Sequence, residues 1–159
     1  MQGQSQELRL SGGRDAMVLG YQVMNLYEST LRRGWLHRTW LALGGRPAQL
    51  LNLADVAARR TVSARHYLGL QIVPIRQIRG SEGRCRDFDD LFHPLRQHAE
   101  ARWNGIARAW LRGANLPPVD LICIEGIYFV RDGHHRISVA RALGQQMIEA
   151  EVTIWQVDQ

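Results

Sequence analysis

Apolar positions recur at helical spacing over much of the first half of the chain and at strand spacing over much of the rest. Leu19, Val23, Leu26 and Thr30 fall on one face of a helix that Asp15 can cap and that runs to about Arg33. Gly34 is expected to interrupt it, with a second short helix from Trp35 to Leu43. In that stretch Trp35, Leu36, Thr39, Trp40 and Leu43 alternate with Arg32, Arg33, His37 and Arg38. The pattern is read as an amphipathic helix burying its tryptophans against the domain, with contact to nucleic acid or a membrane surface as the alternative. Gly44, Gly45 and Pro47 make the next break, and Ala54 to Arg60 is expected as a short helix.

The pattern changes near Gly69. Leu70 to Ile78 has strand composition, with Pro74 suited to an edge or a bulge. A polar loop follows, then an amphipathic helix expected from about Asp90 to Arg112, carrying Leu95, Ala99, Trp103, Ile106 and Trp110 and ended by Gly113. Val119 to Ile124 and Ile127 to Arg131 read as two strands joined by the turn Glu125-Gly126. A helix from Gly133 to Leu143, stopped by Gly144, leads to a half-exposed strand around Ile148, Ala150, Val152 and Ile154. The order predicts an α+β chain: a helical N-terminal extension over 1–69, then a domain over 70–159 built on a small sheet with packed helices.

Composition adds limits. In 159 residues, 45% are hydrophobic and 22% charged, as in an ordinary globular domain. No stretch reads as a membrane span and the polar start lacks the order of a secretory signal, so no membrane partner and a cytoplasmic location are expected. Cys85 and Cys123 have no metal-like spacing; Cys123 reads as core and Cys85 as a loop thiol. All 20 basic residues are arginine, which removes lysine chemistry and any Walker-type loop. The net charge of +5 suits an anionic partner.

Chemistry concentrates at Asp132-Gly133-His134-His135-Arg136, where a strand becomes a helix. A helix start leaves backbone N–H groups unpaired and favours an anion. Gly133 would let a phosphate approach the backbone, Arg136 offers a fork of donors, and His134 and His135 can donate hydrogen bonds or shuttle protons. Asp132 can cap the helix or hold a Mg²⁺ that bridges phosphates.

The run VRDGHHRISVARALG resembles the signature of the ParB N-terminal/sulfiredoxin superfamily, and the element order from about Leu70 onward is similar to it. The resemblance implies a mixed sheet with packed helices and a nucleotide's phosphates, of ATP, ADP or CTP, held at this turn. The first seventy residues resemble an extension seen in bacterial proteins labelled ParB-like. Sulfiredoxins carry a cysteine where this chain has His134, so their reaction is not expected. ParB proteins that use CTP share only Gly133 and Arg136 here, whereas free serine kinases of the fold share Asp132, Gly133, His134 and Arg136. The kinase resemblance further implies a glutamate general base after the first strand, for which Glu82 is the candidate. In the same loop Arg79, Ser81 and Arg84 are candidates to hold phosphate or an acidic substrate, a solvated surface loop being the alternative. Asp87 and Asp89 read as helix caps, and His66, His93 and His98 as structural.

Three functions follow as expectations: a kinase or nucleotide hydrolase with His134 and Glu82 in catalytic roles; a nucleotide-gated, DNA-associated module contacting DNA through the basic N-terminal segment; or a scaffold that binds protein through Trp35 and Trp40, a homodimer included.

Overall fold

The computed structural model describes residues 3–96 and 99–158, with side chains from Gly13 onward; His98 lies outside the described residues. The elements are α1 (Gly3–Leu43), β1 (Leu51–Asn52), α2 (Leu53–Ala57), β2 (Thr61–Pro74), a 3-10 turn (Ile75–Gln77), β3 (Ile78–Ser81), α3 (Glu100–Leu111), β4 (Val119–Ile124), β5 (Ile127–Asp132), α4 (His134–Ala142) and β6 (Met147–Asp158). The α+β class with a helical N-terminal part is therefore as expected. The strands form one mixed six-stranded sheet in the order β1-β3-β5-β4-β6-β2. One face carries Val73, Val119, Leu121, Val130, Ala150 and Val152, packed with Ile137 and Ala140 of α4. The opposite face buries Ile122, Ile124 and Phe129 against Leu53 of α2.

The β4–β5 hairpin formed where it was expected, since Glu125 and Gly126 both take positive φ, at 50° and 81°. Four other elements differ from expectation. The first is α1, which runs unbroken through Gly34 and encloses Asp15. A Cβ on Gly34 would lie 2.7 Å from His93 Cβ, so the glycine marks a close helix–loop contact and not a break. Val23, Tyr27, Thr30 and Gly34 form the inward, buried seam, with Val23 and Tyr27 packed with Trp103 and Ala107 of α3. Trp35 and Trp40 lie off that seam and are 60% and 76% exposed, which overturns the expectation that they are buried. Each helical residue turns by about 100°, so the residue after Gly34 cannot share its face.

The second is β2, which begins at Thr61, well before Leu70, because it pairs with β6 from Thr61↔Asp158 to Pro74↔Met147. The boundary at 69/70 thus falls inside a strand, and the preceding helix is shortened to α2, capped by Asn52 Oδ1 accepting from the Ala54 N–H at 3.0 Å. The third is the expected strand 70–78, which stops at Pro74, on an edge strand, and resumes only as β3. The fourth is α3, which starts at Glu100 and not at Asp90. The Asp89 carboxylate accepts the Leu91 and His93 N–H groups at 3.0 and 2.9 Å, committing the backbone to a turn in place of a helix. Asp89 therefore caps that turn and Asp87 pairs with Arg96, neither capping α3. Among the described residues no helix is long and apolar enough to cross a membrane.

Candidate functional site

The start of α4 is fixed by its neighbours before any ligand is considered. Gly133 is the N-cap, at φ 103° and ψ 18°, with no side-chain cap bond, so Asp132 does not cap the helix. A Cβ on Gly133 would lie 2.5 Å from Val119 Cγ1 and 2.8 Å from Val119 Cβ. The glycine is thus required by its backbone conformation and by β4, apart from any approach of a phosphate.

Arg136 is largely committed within the protein. Its Nη1 donates to the carbonyls of Pro117 and Pro118 at 2.5 and 2.7 Å, and its Nη2 to Asp132 Oδ2 at 2.5 Å. It straps the loop before β4 to α4, and of its five N–H donors few remain for a ligand.

Ser81 is fully buried on β3 and organises two other residues. Its Oγ accepts the Gly83 and Arg84 N–H groups at 3.3 and 3.0 Å and lies 2.7 Å from His134 Nε2. With both lone pairs taken, the hydroxyl proton goes to Nε2, which places the imidazole proton on Nδ1. His134 is 5% exposed and its ring stacks on Phe88. Burial, then the charge of Arg84 and of His135, depress its pKa to about 4, so it is neutral at pH 7. A neutral ring held by Ser81 orients the turn and is poorly placed to shuttle protons, against the sequence expectation.

Around this frame a polar cavity of about 210 Å³ is lined by Arg84, Arg102, Arg131 and the segment Asp132 to Arg136. Arg131 is paired with Glu82 at 3.2 Å and with Asp120 at 3.8 Å. Arg84 and Arg102 make no ion pair among the described residues. Glu82 is held one side chain back from the cavity, on Arg131. Arg79 is not brought to it; its charge acts instead on Arg141, toward the other end of α4. Asp132 is 68% exposed and pairs with Arg136, and no group of three or more His, Cys, Asp or Glu side chains suited to a metal occurs among the described residues.

Arg102 was not found by reading the sequence. It precedes Trp103, whose Nε1 donates to Ser138 Oγ at 2.9 Å and fixes the rotation of α3. Arg102 and Ile106, four apart, then face the cavity together. That spacing is the signal, but only the docking of Trp103 says which way it points.

Cys85 is half-buried, with its Sγ 3.5 Å from the Ser81 carbonyl, and burial pushes its thiol pKa up, which fits an unreactive loop thiol. No family model matches the chain, and no curated protein does. Among solved structures it is similar to the crystal structure of sulfiredoxin from Arabidopsis thaliana, at 20% identity, over 52% of this chain and 82% of that one, with a TM-score of 0.40.

Proposed function

We propose that the chain binds the phosphates of a nucleotide, ATP, ADP or CTP, at the start of α4 and catalyses their transfer or hydrolysis. One observation carries the reading: Arg84 and Arg102, from two separate segments and with no ion pair among the described residues, converge on the cavity at a helix N-terminus. Two guanidinium groups with no ion pair among the described residues, at the N-terminal end of a helix, favour a compact polyanion. The cavity is too small for a whole nucleotide and suits its phosphates. Asp132, exposed and carrying one carboxylate, would hold Mg²⁺ only together with phosphate oxygens, as this ion is commonly held.

In this reading Arg131 couples binding to chemistry. An incoming phosphate competes with Glu82 for the Arg131 guanidinium, and Glu82, so released, accepts the proton of an attacking hydroxyl or water. His134 keeps the Arg84 turn in register through Ser81. The test is thermal stabilisation by ATP, ADP, CTP and GTP with Mg²⁺, read beside Arg84→Gln/Arg102→Gln. Stabilisation by a nucleotide that the double variant loses supports the site. No shift with any of the four, or one unchanged in the variant, refutes it. Glu82→Gln that binds but does not turn over supports catalysis over a non-catalytic, nucleotide-gated module.

A second reading concerns α1, on which Met17, Tyr21, Trp35, Leu36, Trp40 and Leu43 are all 60–82% exposed. Large apolar side chains this exposed along one helix, though interspersed with Glu28, Arg32 and Arg33, mark a candidate contact surface. Three aromatic side chains of about 150–250 Å² each, partly exposed, together with Met17, Leu36 and Leu43 leave several hundred Å² of apolar surface, approaching the roughly 800 Å² each partner gives a standard interface. The reading is a homodimer through α1. Sedimentation should show a dimer that Trp35→Ser/Trp40→Ser dissociates. A monomer that binds DNA with steep salt dependence would favour the DNA-associated alternative instead.

A further inference from the structure

A second cavity, of about 270 Å³, lies toward the C-terminal end of α4, and three arginines from three elements line it: Arg33 of α1, Arg76 of the 3-10 turn and Arg141 of α4. Arg33 and Arg76 make no ion pair among the described residues. Arg141 donates through Nη2 to the Ile75 carbonyl at 3.0 Å, while its Nε is buried with no hydrogen-bond partner among the described residues. A buried guanidinium N–H left unmatched loses its hydration without replacement, so a partner is expected there.

The nearby acids do not supply one. Asp89 is fully buried and its carboxylate is taken by His93 Nδ1 at 2.9 Å, by Arg38 at 3.4 Å and by two backbone N–H groups. Asp90 is held by His37 Nε2 at 2.8 Å. The charges of Asp89 and Asp90 act on Arg141, but their carboxylate oxygens are taken by His93, Arg38 and His37, and Arg33 and Arg76 face the cavity with no ion pair among the described residues. Phe92 forms an apolar wall, with the Arg141 guanidinium carbon 5.6 Å from its ring centroid. The volume lies just below the usual range of ligand pockets, about 300–1,000 Å³, which fits a molecule of few heavy atoms.

We infer that this cavity is a second anion site, separate from the one at the start of α4, and that it takes a small phosphomonoester. The phosphoryl group sits among Arg33, Arg76 and Arg141, where its oxygens match the guanidinium donors, and a short organic tail lies against Phe92. The site requires no nucleotide at the first cavity, so the two stand or fall separately.

Glycerol 3-phosphate is the probe, titrated at constant ionic strength into the wild type, Arg33→Gln/Arg76→Gln and Arg84→Gln/Arg102→Gln. Binding is followed by calorimetry and by the amide resonances of Ser138, Arg141, Gln145 and Gln146. Wild type is expected to bind, with those amides shifting, and Arg33→Gln/Arg76→Gln to bind about tenfold or more weakly, while Arg84→Gln/Arg102→Gln keeps these shifts. Arg33 and Arg76 are exposed, so their replacement leaves the fold intact, which circular dichroism checks. Affinity unchanged in Arg33→Gln/Arg76→Gln, no shift at the four amides, or a cavity holding water alone overturns the inference. Loss of these shifts only in Arg84→Gln/Arg102→Gln also overturns it and leaves the first site standing.

Discussion

Gly133→Ala is expected to be among the most damaging single-methyl additions in the chain. The new Cβ would sit 2.5 Å from Val119 Cγ1 and 2.8 Å from Val119 Cβ, at a backbone φ of 103° that L side chains avoid. Sparsely populated backbone conformations cost about 1–3 kcal/mol for a non-glycine residue, and overpacking adds about 1–3 kcal/mol more. The expected loss is therefore about 2–6 kcal/mol, measured by urea unfolding. Val119 is 1% exposed and lies on β4, so its strand cannot retreat cheaply. Val119→Ala removes Cγ1 but keeps the Cβ, so in the Gly133→Ala background it should recover about 1 kcal/mol relative to its cost in the wild type. A Gly133→Ala loss below about 1 kcal/mol, or the same Val119→Ala cost in both backgrounds, refutes the packing argument.

Three further outcomes follow from the same geometry. The pKa of His134 is about 4 in the folded chain against 6.5 ordinarily, so the unfolded state takes up its proton first. Its contribution is complete above about pH 6.5 and is lost as pH falls toward 4, by about 3 kcal/mol at most; unfolding titrations of His134→Gln should be flatter in that window, and a parallel profile would count against the assignment. Arg136→Gln should cost about 2–4 kcal/mol of stability with no ligand present, because three charged hydrogen bonds to Pro117, Pro118 and Asp132 are lost; loss of binding with full stability would show a ligand role alone. Gly34→Ala ordinarily gains about 1 kcal/mol in a helix, but the contact at 2.7 Å with His93 Cβ should make it a net loss in Tm, and a gain would reverse that account.

Periodicity located most elements because their burial is local. The hairpin at Glu125-Gly126 and the helix after Gly133 are marked by glycines at positive φ, and the closing strand by its alternating burial. The misplaced parts depend on partners distant in sequence. Residues 61–69 become strand only because β6 supplies an edge, and α3 is shortened because Asp89 captures N–H groups that a helix would have used. Gly34 looked like a break because His93, nearly sixty residues on, is invisible to local reading. At the site, the glycine and both histidines were legible as a special turn, but their roles were not. Arg136 reads as a phosphate fork until Pro117 and Pro118 are beside it, and Arg102 reads as a solvated charge until Trp103 is docked.

The central claim, that an anion sits on the first turn of α4 between Arg84 and Arg102, is tested most directly by backbone amide spectra during titration with ADP and Mg²⁺. The His134, His135 and Arg136 resonances should move in the wild type and stay in place in Arg84→Gln/Arg102→Gln at the same ionic strength. Amides at α4 that do not move, or that move equally in the double variant, would contradict the claim.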